Sequence, residues 1–570
     1  MSTTAMPVTD FVPADLDGSR WDNLKPYYDK LLARELKCEN CLEQLILDRS
    51  ELDATASEAS ANLYISMTCH TDEDAHKSAY LEFVENVQPQ LKEVGFALDR
   101  KIVESEHVSK LDQARYGVML RDIRADVELF RDENIPLQTQ DTKLGQQFSE
   151  VSGAMTVQFR GEEKTMPQMA TYIQENDRAT REEAWRGMAE RRIQDRDRLD
   201  DIFDEMIRVR HQIARNAGFD NYRDYMFKAK HRFDYTPADC EAYHAAAASI
   251  CVPVMRASNA TRKQELGADA LRPWDLGVDV KGRDPLRPFS GSDELIEGTS
   301  KLFHDMSRDL GDLFDRLRDG TSLDLETRKG KSPGGYQYHR DRSRQPFIFM
   351  NAAGLQRDLQ TMIHEAGHAF HAMLSENDPL LHYRHSPIEF AEVASMGMEL
   401  LAQPYLDQFY DAPADADRAR REHLEGLATM IPWTATIDAF QHWIYTHPDH
   451  TREERTAHWL ELESTFGPAV DWTGLEDFRA SMWQKQLHLF EVPFYYIEYG
   501  IAQLGALQLW QIGRRDESQA IGKYREALTL GGSQPLPDLF NACGIKLAFD
   551  SDTMGSLMDD VASELERLPV

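Results

Sequence analysis

The stretch from Thr361 to His371 reads TMIHEAGHAFH, and apart from its histidines the only ionisable side chain in it is Glu365. This stretch constrains the fold more than any other, because an apolar helix that buries a lone carboxylate must bring that carboxylate a partner. His364 and His368 stand at i and i+4, on one helix face. They can place two imidazole nitrogens on one metal at about 2.0–2.1 Å. Glu365 lies beside them and can reach a metal-activated water without being a ligand. Gly367 costs a helix roughly 1 kcal/mol relative to alanine, which predicts that another backbone or helix packs closely there.

A catalytic zinc takes three protein ligands and keeps an open position. The extended metzincin pattern would need Gly at 371 and His at 374, where this chain has His371 and Leu374. That class is excluded. Downstream, Ser386-Pro387-Ile388-Glu389 predicts a capping box that opens a helix running through Leu401, with Glu389 as the cap partner. Glu392, one turn further and flanked by Phe390, Ala391, Val393 and Ala394, has no local partner and is the expected third ligand. Glu399, seven residues on, either accepts the second ring N–H of His364 or His368 or faces solvent. His371, His382 and His385 are read as structural or outer-shell residues.

The rest of the sequence bounds the setting. At 570 residues the chain exceeds one hydrophobic core, so two or more lobes are expected. With 97 acidic against 64 basic residues, its net charge of −33 repels nucleic acid and anionic membranes. No run of about 18 apolar residues occurs, and Met1–Asp10 lacks a basic start with an apolar run, so a cytoplasmic location is expected. Six scattered cysteines exclude a disulfide scaffold, and the Cys38/Cys41 pair reads as two thiols one turn apart on a helix.

Residues from about Trp21 to Gln146 read as successive amphipathic helices, including Ala79–Leu98. Ala154–Phe159, closed by Arg160-Gly161, suggests a hairpin. Thr165 with Gln168, and Thr180 with Glu183, suggest capped helix starts. A Pro- and Gly-rich loop covers Gly267–Asp293, and Gly334–Arg340 and Gln345–Met350 suggest two strands ahead of the motif. The expected division is an N-terminal helical region, 1–200, and a catalytic region, 201–570.

HEAGHAFH, followed by FAEVASMGMEL with Glu392 placed 24 residues after His368, resembles the thimet oligopeptidase and oligoendopeptidase F family of zinc peptidases. PFIFMNAAG at Pro346–Gly354, HLFEVPFYYIEYG at His488–Gly500 and the GAMTV segment at Gly153 extend the match over roughly residues 110–565. The resemblance implies a mainly α, zincin-like molecule with two helical lobes around a deep substrate channel and a small hairpin or sheet beside the HExxH helix. It implies one zinc per chain on His364, His368 and Glu392, with Glu365 as general base. Asn351, Ala352, Ala353 and Gly354 would lie along the substrate backbone as an edge strand does. Tyr499, with Tyr496 and His488, would donate to the oxyanion, on a helix that Pro493 can start. The function implied is hydrolysis of internal bonds in short, unstructured peptides, with no nucleic acid or membrane partner and no oligomeric state specified. An exopeptidase on the same fold (peptidyl-dipeptidase or carboxypeptidase) and a non-catalytic helical binding protein with a vestigial zinc site are the alternatives.

Overall fold

The computed structural model describes residues 10–320 and 322–570. The described chain is mainly helical, as expected, with five short strands. It divides into two compact units, each assembled from three separated stretches. The first comprises residues 1–128, 286–416 and 505–547, and the second residues 129–285, 417–504 and 548–570. The sequence suggested a division near residue 200 because local patterning cannot register helices that return to a core from hundreds of residues away. One passage between units, at Pro285/Leu286, does fall in the expected loop. No helix among the described residues is long and apolar enough to cross a membrane.

In the first unit, the helices Trp21–Ala33, Glu39–Cys69 and Gln88–Val103 bury Leu24, Leu31, Leu42, Leu45 and Leu98 in one apolar cluster. The expected helix across Ala79–Leu98 contains one wide turn, Phe83–Val87, just ahead of Pro89, whose missing N–H would break a regular ladder. Cys38 departs from expectation. The helix stops at Ala33, and Cys38 caps the next one, its sulfur accepting from the Cys41 N–H at 3.3 Å.

Both predicted strands ahead of the motif form, as β4 (Tyr336–Arg340) and β5 (Gln345–Ala352), and a third strand, β3 (Leu323–Glu326), joins them. The order is β3-β5-β4, with β5 central, parallel to β3 and antiparallel to β4. The Lys331 ammonium clamps β3 to β5, donating to the Asp324 carboxylate at 2.8 Å and to the Glu326 and Met350 carbonyls.

After β5 the chain turns at Gly354, whose φ of +85° suits glycine and whose added Cβ would lie 2.9 Å from the Phe289 carbonyl oxygen. The motif helix, Gln356–Leu374, then begins with the Asp358 carboxylate accepting the N–H groups of Ala353 and Leu355, at 2.7 and 3.0 Å. Leu359, Met362, Ile363, Ala366, Phe370 and Met373 form its buried stripe. The following helix, Ile388–Leu401, starts without the predicted capping box. The Ser386 hydroxyl donates instead to the Gly531 carbonyl at 3.1 Å, a distant partner that local sequence cannot reveal. The two helices touch at Gly367, where a Cβ would lie 2.5 Å from the Ala394 carbonyl oxygen and 2.7 Å from Ser395 Cα.

In the second unit, β1 (Thr156–Phe159) and β2 (Glu162–Thr165) form the predicted hairpin. Arg160 and Gly161, at φ of 53° and 88°, make its two-residue turn. Thr165 and Gln168 form the predicted capping box. Thr180 does not cap: it lies inside a helix whose cap is Asp177, accepting the Thr180 N–H at 3.0 Å.

Replacing Gly367 with alanine should lower stability by about 1 to 3 kcal/mol, because backbone, which cannot rotate away, occupies the place of the new methyl. Thermal unfolding would read this as a lower midpoint. A midpoint at or above that of the wild type, as alanine gives in an open helix, would show that the two helices are not in backbone contact.

Candidate metal centre

The site residues of the first unit come from the two helices that meet at Gly367. His364 Nε2 and His368 Nε2 lie 3.5 and 3.6 Å from the same Glu392 oxygen, Oε2. The three side chains form a cluster whose ligand atoms all lie within 4.8 Å of one another. A tetrahedral ion with bonds of about 2.0–2.1 Å separates its ligands by about 3.3–3.4 Å, so this nitrogen, nitrogen, oxygen set fits zinc almost without adjustment. The Ser395 hydroxyl donates to Glu392 Oε2 at 2.9 Å and holds the carboxylate in place.

Glu399 faces His364 rather than solvent. Its Oε1 is 2.6 Å from His364 Nδ1, and its Oε2 accepts from the Gln360 amide at 2.6 Å. With Nδ1–H directed at a carboxylate, the Nε2 lone pair of His364 faces Glu392 and the metal position. Sequence reasoning missed Gln360, which lies four residues before His364 and carries no signal in a pattern of charged and imidazole groups.

Charge points to a cation as well. Glu365, Glu392 and Glu399 bring three carboxylates around two imidazoles. Burial works against a charged His364, but Glu399 first, then Glu392 and Glu365, outweigh it and raise that ring to about 9. Burial raises the Glu365 carboxyl to about 7, with His364 opposing. His368 is pushed the other way by burial and by His364.

The remaining histidines have other roles. The His371 ring meets Phe390 edge-on, while His382 and His385 pair with Asp122 and Asp341, each at 3.0 Å. His382 lies in a short helix, Leu381–Arg384, rather than a loop.

Asn351–Gly354 differs from an open edge strand. β5 is central, Ala352 pairs with Glu326 of β3, and the Asn351 amide donates to the carbonyls of Ser332 and Gly334, at 2.8 and 2.9 Å. The strand at that side of the sheet is β4.

In the second unit, His488, Tyr496 and Tyr499 come together. The His488 ring is edge-on to both phenol rings, with centroids at 4.7 and 6.2 Å, and the two phenols are 5.8 Å apart. The buried Arg210 fixes this segment, donating to Leu489 O at 2.9 Å. The helix starts at Tyr496 rather than at Pro493, because Phe494 takes a left-handed φ of 63°. Gln486, another residue missed in sequence, donates from Nε2 to His488 Nδ1 and to the Tyr496 oxygen, both at 2.9 Å. Burial keeps His488 neutral, so its Nε2–H and the Tyr496 O–H remain as donors.

A family model described as Peptidase family M3 matches residues 171–558, and one described as Peptidase M3 N-terminal domain matches residues 13–130. The chain is 27% identical over 212 residues to an oligoendopeptidase F homolog of Borreliella burgdorferi, covering 35% of each. It is 24% identical over 329 residues to the oligopeptidase PepF of Bacillus subtilis, covering 56% of this chain and 47% of that one. The chain thus spans less than half the length of these two curated relatives. The solved structure of PZ peptidase A with an inhibitor aligns at a TM-score of 0.88 and 24% identity, covering 96% of this chain and 97% of that one, a likeness of fold.

Zinc titration against a competing chelator should rank the carboxylates. Glu392→Ala should abolish tight binding at this centre, Glu399→Ala should weaken it by roughly 10- to 100-fold, and Glu389→Ala should leave it intact. A larger loss from Glu389→Ala than from Glu392→Ala would assign the third ligand to the wrong turn.

Proposed function

Because the chain belongs to peptidase family M3, we propose that it is a zinc-dependent oligoendopeptidase that hydrolyses internal bonds of short, unstructured peptides. The observation that carries this reading is the convergence of His364, His368 and Glu392 on one point, with the buried Glu365 beside them. A structural zinc site is normally closed by four Cys and His ligands, whereas two imidazoles and a carboxylate leave a position for substrate. His364, His368 and Glu392 would hold the metal, oriented by Glu399 and Ser395. Zinc in that position supplies Lewis acidity to the scissile carbonyl and to a water molecule.

Glu365 takes the proton of that water and delivers it to the leaving amine. Tyr499, with Tyr496 as its neighbour, is proposed to donate to the carbonyl oxygen as negative charge develops there, and His488 to contact the substrate or the same oxygen. Asn351–Gly354 is proposed to run along the peptide backbone. The proposed compartment is the cytoplasm, in keeping with the acidic charge balance and the sparse cysteines.

Mass spectrometry of a mixed peptide library, with and without chelator, tests the activity. Internal cleavage that chelation abolishes is expected, and native folded proteins should survive. Terminal trimming alone would indicate an exopeptidase. Glu365→Gln should abolish hydrolysis while its zinc content stays that of the wild type. Tyr499→Phe should lower kcat by roughly 10² to 10³ with little change in KM, since a transition-state contact is lost. Tyr495→Phe, which lies just ahead of the helix with its ring 5.0 Å from that of Tyr499, is the comparison. Turnover lost in Tyr495→Phe and kept in Tyr499→Phe would move the oxyanion role elsewhere.

A further inference from the structure

A second cluster of metal-type ligands lies wholly within the second unit, and the peptide chemistry makes no use of it. The helix Pro237–Ala246 carries Cys240 and His244 one turn apart, and the helix Pro413–Thr446 carries Asp438 and His442 one turn apart. Ligand atoms of Cys240, Asp438 and His442 all lie within 4.8 Å of one another, and all three residues are buried. His244 Nε2 is 2.8 Å from Asp438 Oδ2. His442 Nε2 lies 3.3 Å from the same oxygen but is not aligned as a hydrogen bond.

As an apolar core this arrangement is poorly compensated. Asp438 is fully buried, its Oδ1 has no hydrogen-bond partner, and neither does either ring nitrogen of His442. The His442 ring is enclosed edge-on by Phe227 and Phe494, at 6.0 and 5.7 Å. Each such orphaned group costs stability, and more when charged. A divalent cation would satisfy the carboxylate and an imidazole at once. The sulfur in the set argues against magnesium and calcium and for zinc.

We propose that Cys240, Asp438 and His442 bind a second zinc ion, with His244 holding the Asp438 carboxylate as its outer partner. Asp438 Oδ1, the oxygen without a hydrogen bond, is the ligand that His244 leaves available. The ion joins the two helices. It also stiffens what packs on His442: Phe494, whose N–H donates to Gln441 Oε1 at 2.6 Å, stands two residues before Tyr496. The proposal does not rest on the peptidase reading.

The test uses the full chain with Cys38→Ser and Cys41→Ser, which remove the exposed thiol pair. After zinc loading and gel filtration, elemental mass spectrometry should find about two zinc ions per chain. His368→Ala should lose one, Cys240→Ser or His442→Ala the other. Cobalt substitution gives a readout that does not depend on those variants folding. A thiolate-to-cobalt charge-transfer band in the near ultraviolet should appear in this protein and persist in His368→Ala, because the first centre has no sulfur ligand. A single zinc that disappears with His368→Ala, or cobalt binding without a thiolate band, would overturn the second site. Zinc retained in His368→Ala and lost in Cys240→Ser would support it and count instead against the catalytic centre.

Discussion

At Gly367 two helix backbones meet with no side chain between them, and the metal centre depends on that approach. Glu392 and Glu399 both project from the second helix towards imidazoles on the first. Their oxygens reach 3.5 and 2.6 Å from His364 only because the axes are this close. A methyl group at 367 would push the carboxylates outward together. Tyr524 secures the same point from outside, its buried hydroxyl donating to the Ala394 carbonyl at 2.8 Å. The cost of glycine in a helix is therefore offset by the geometry it permits.

The pocket so formed holds more negative charge than its imidazoles can neutralise. A proton on His364 is one resolution, which is why that ring is held at about 9. A divalent cation is the other, and it competes for the same Nε2 while Glu399 keeps its grip on Nδ1–H. Glu365 takes no part in this contest as a ligand. Burial instead raises its carboxyl to about 7.

The motif helix and the nearness of Glu392 and Glu399 to its histidines were legible in the sequence, because each is a matter of spacing along a helix. So were β1, β2, β4 and β5, and the Thr165 cap. What escaped was set by distant partners. Ser386 looks like a cap, yet its hydroxyl serves Gly531, 145 residues away. β3 is too short to declare itself and exists because β5 offers it a parallel edge. Gln360 and Gln486 act through amides, which no charge pattern distinguishes from the chain's other glutamines. Cys240, His244, Asp438 and His442 form two i, i+4 pairs almost 200 residues apart, and neither pair is conspicuous alone.

The interleaved build of the units also sets an order of events during synthesis. The motif helix and the Glu392 helix leave the ribosome well before the stretch 505–547 that completes their unit, and Tyr524 belongs to that last stretch. Until it arrives, the Ala394 carbonyl lacks its partner and the seam at Gly367 is open on one side. A nascent chain therefore carries the whole HExxH motif for more than a hundred residues of elongation before the core that positions it can close. Hydrolytic competence, on the reading given above, is thereby deferred until residues 505–547 have been added.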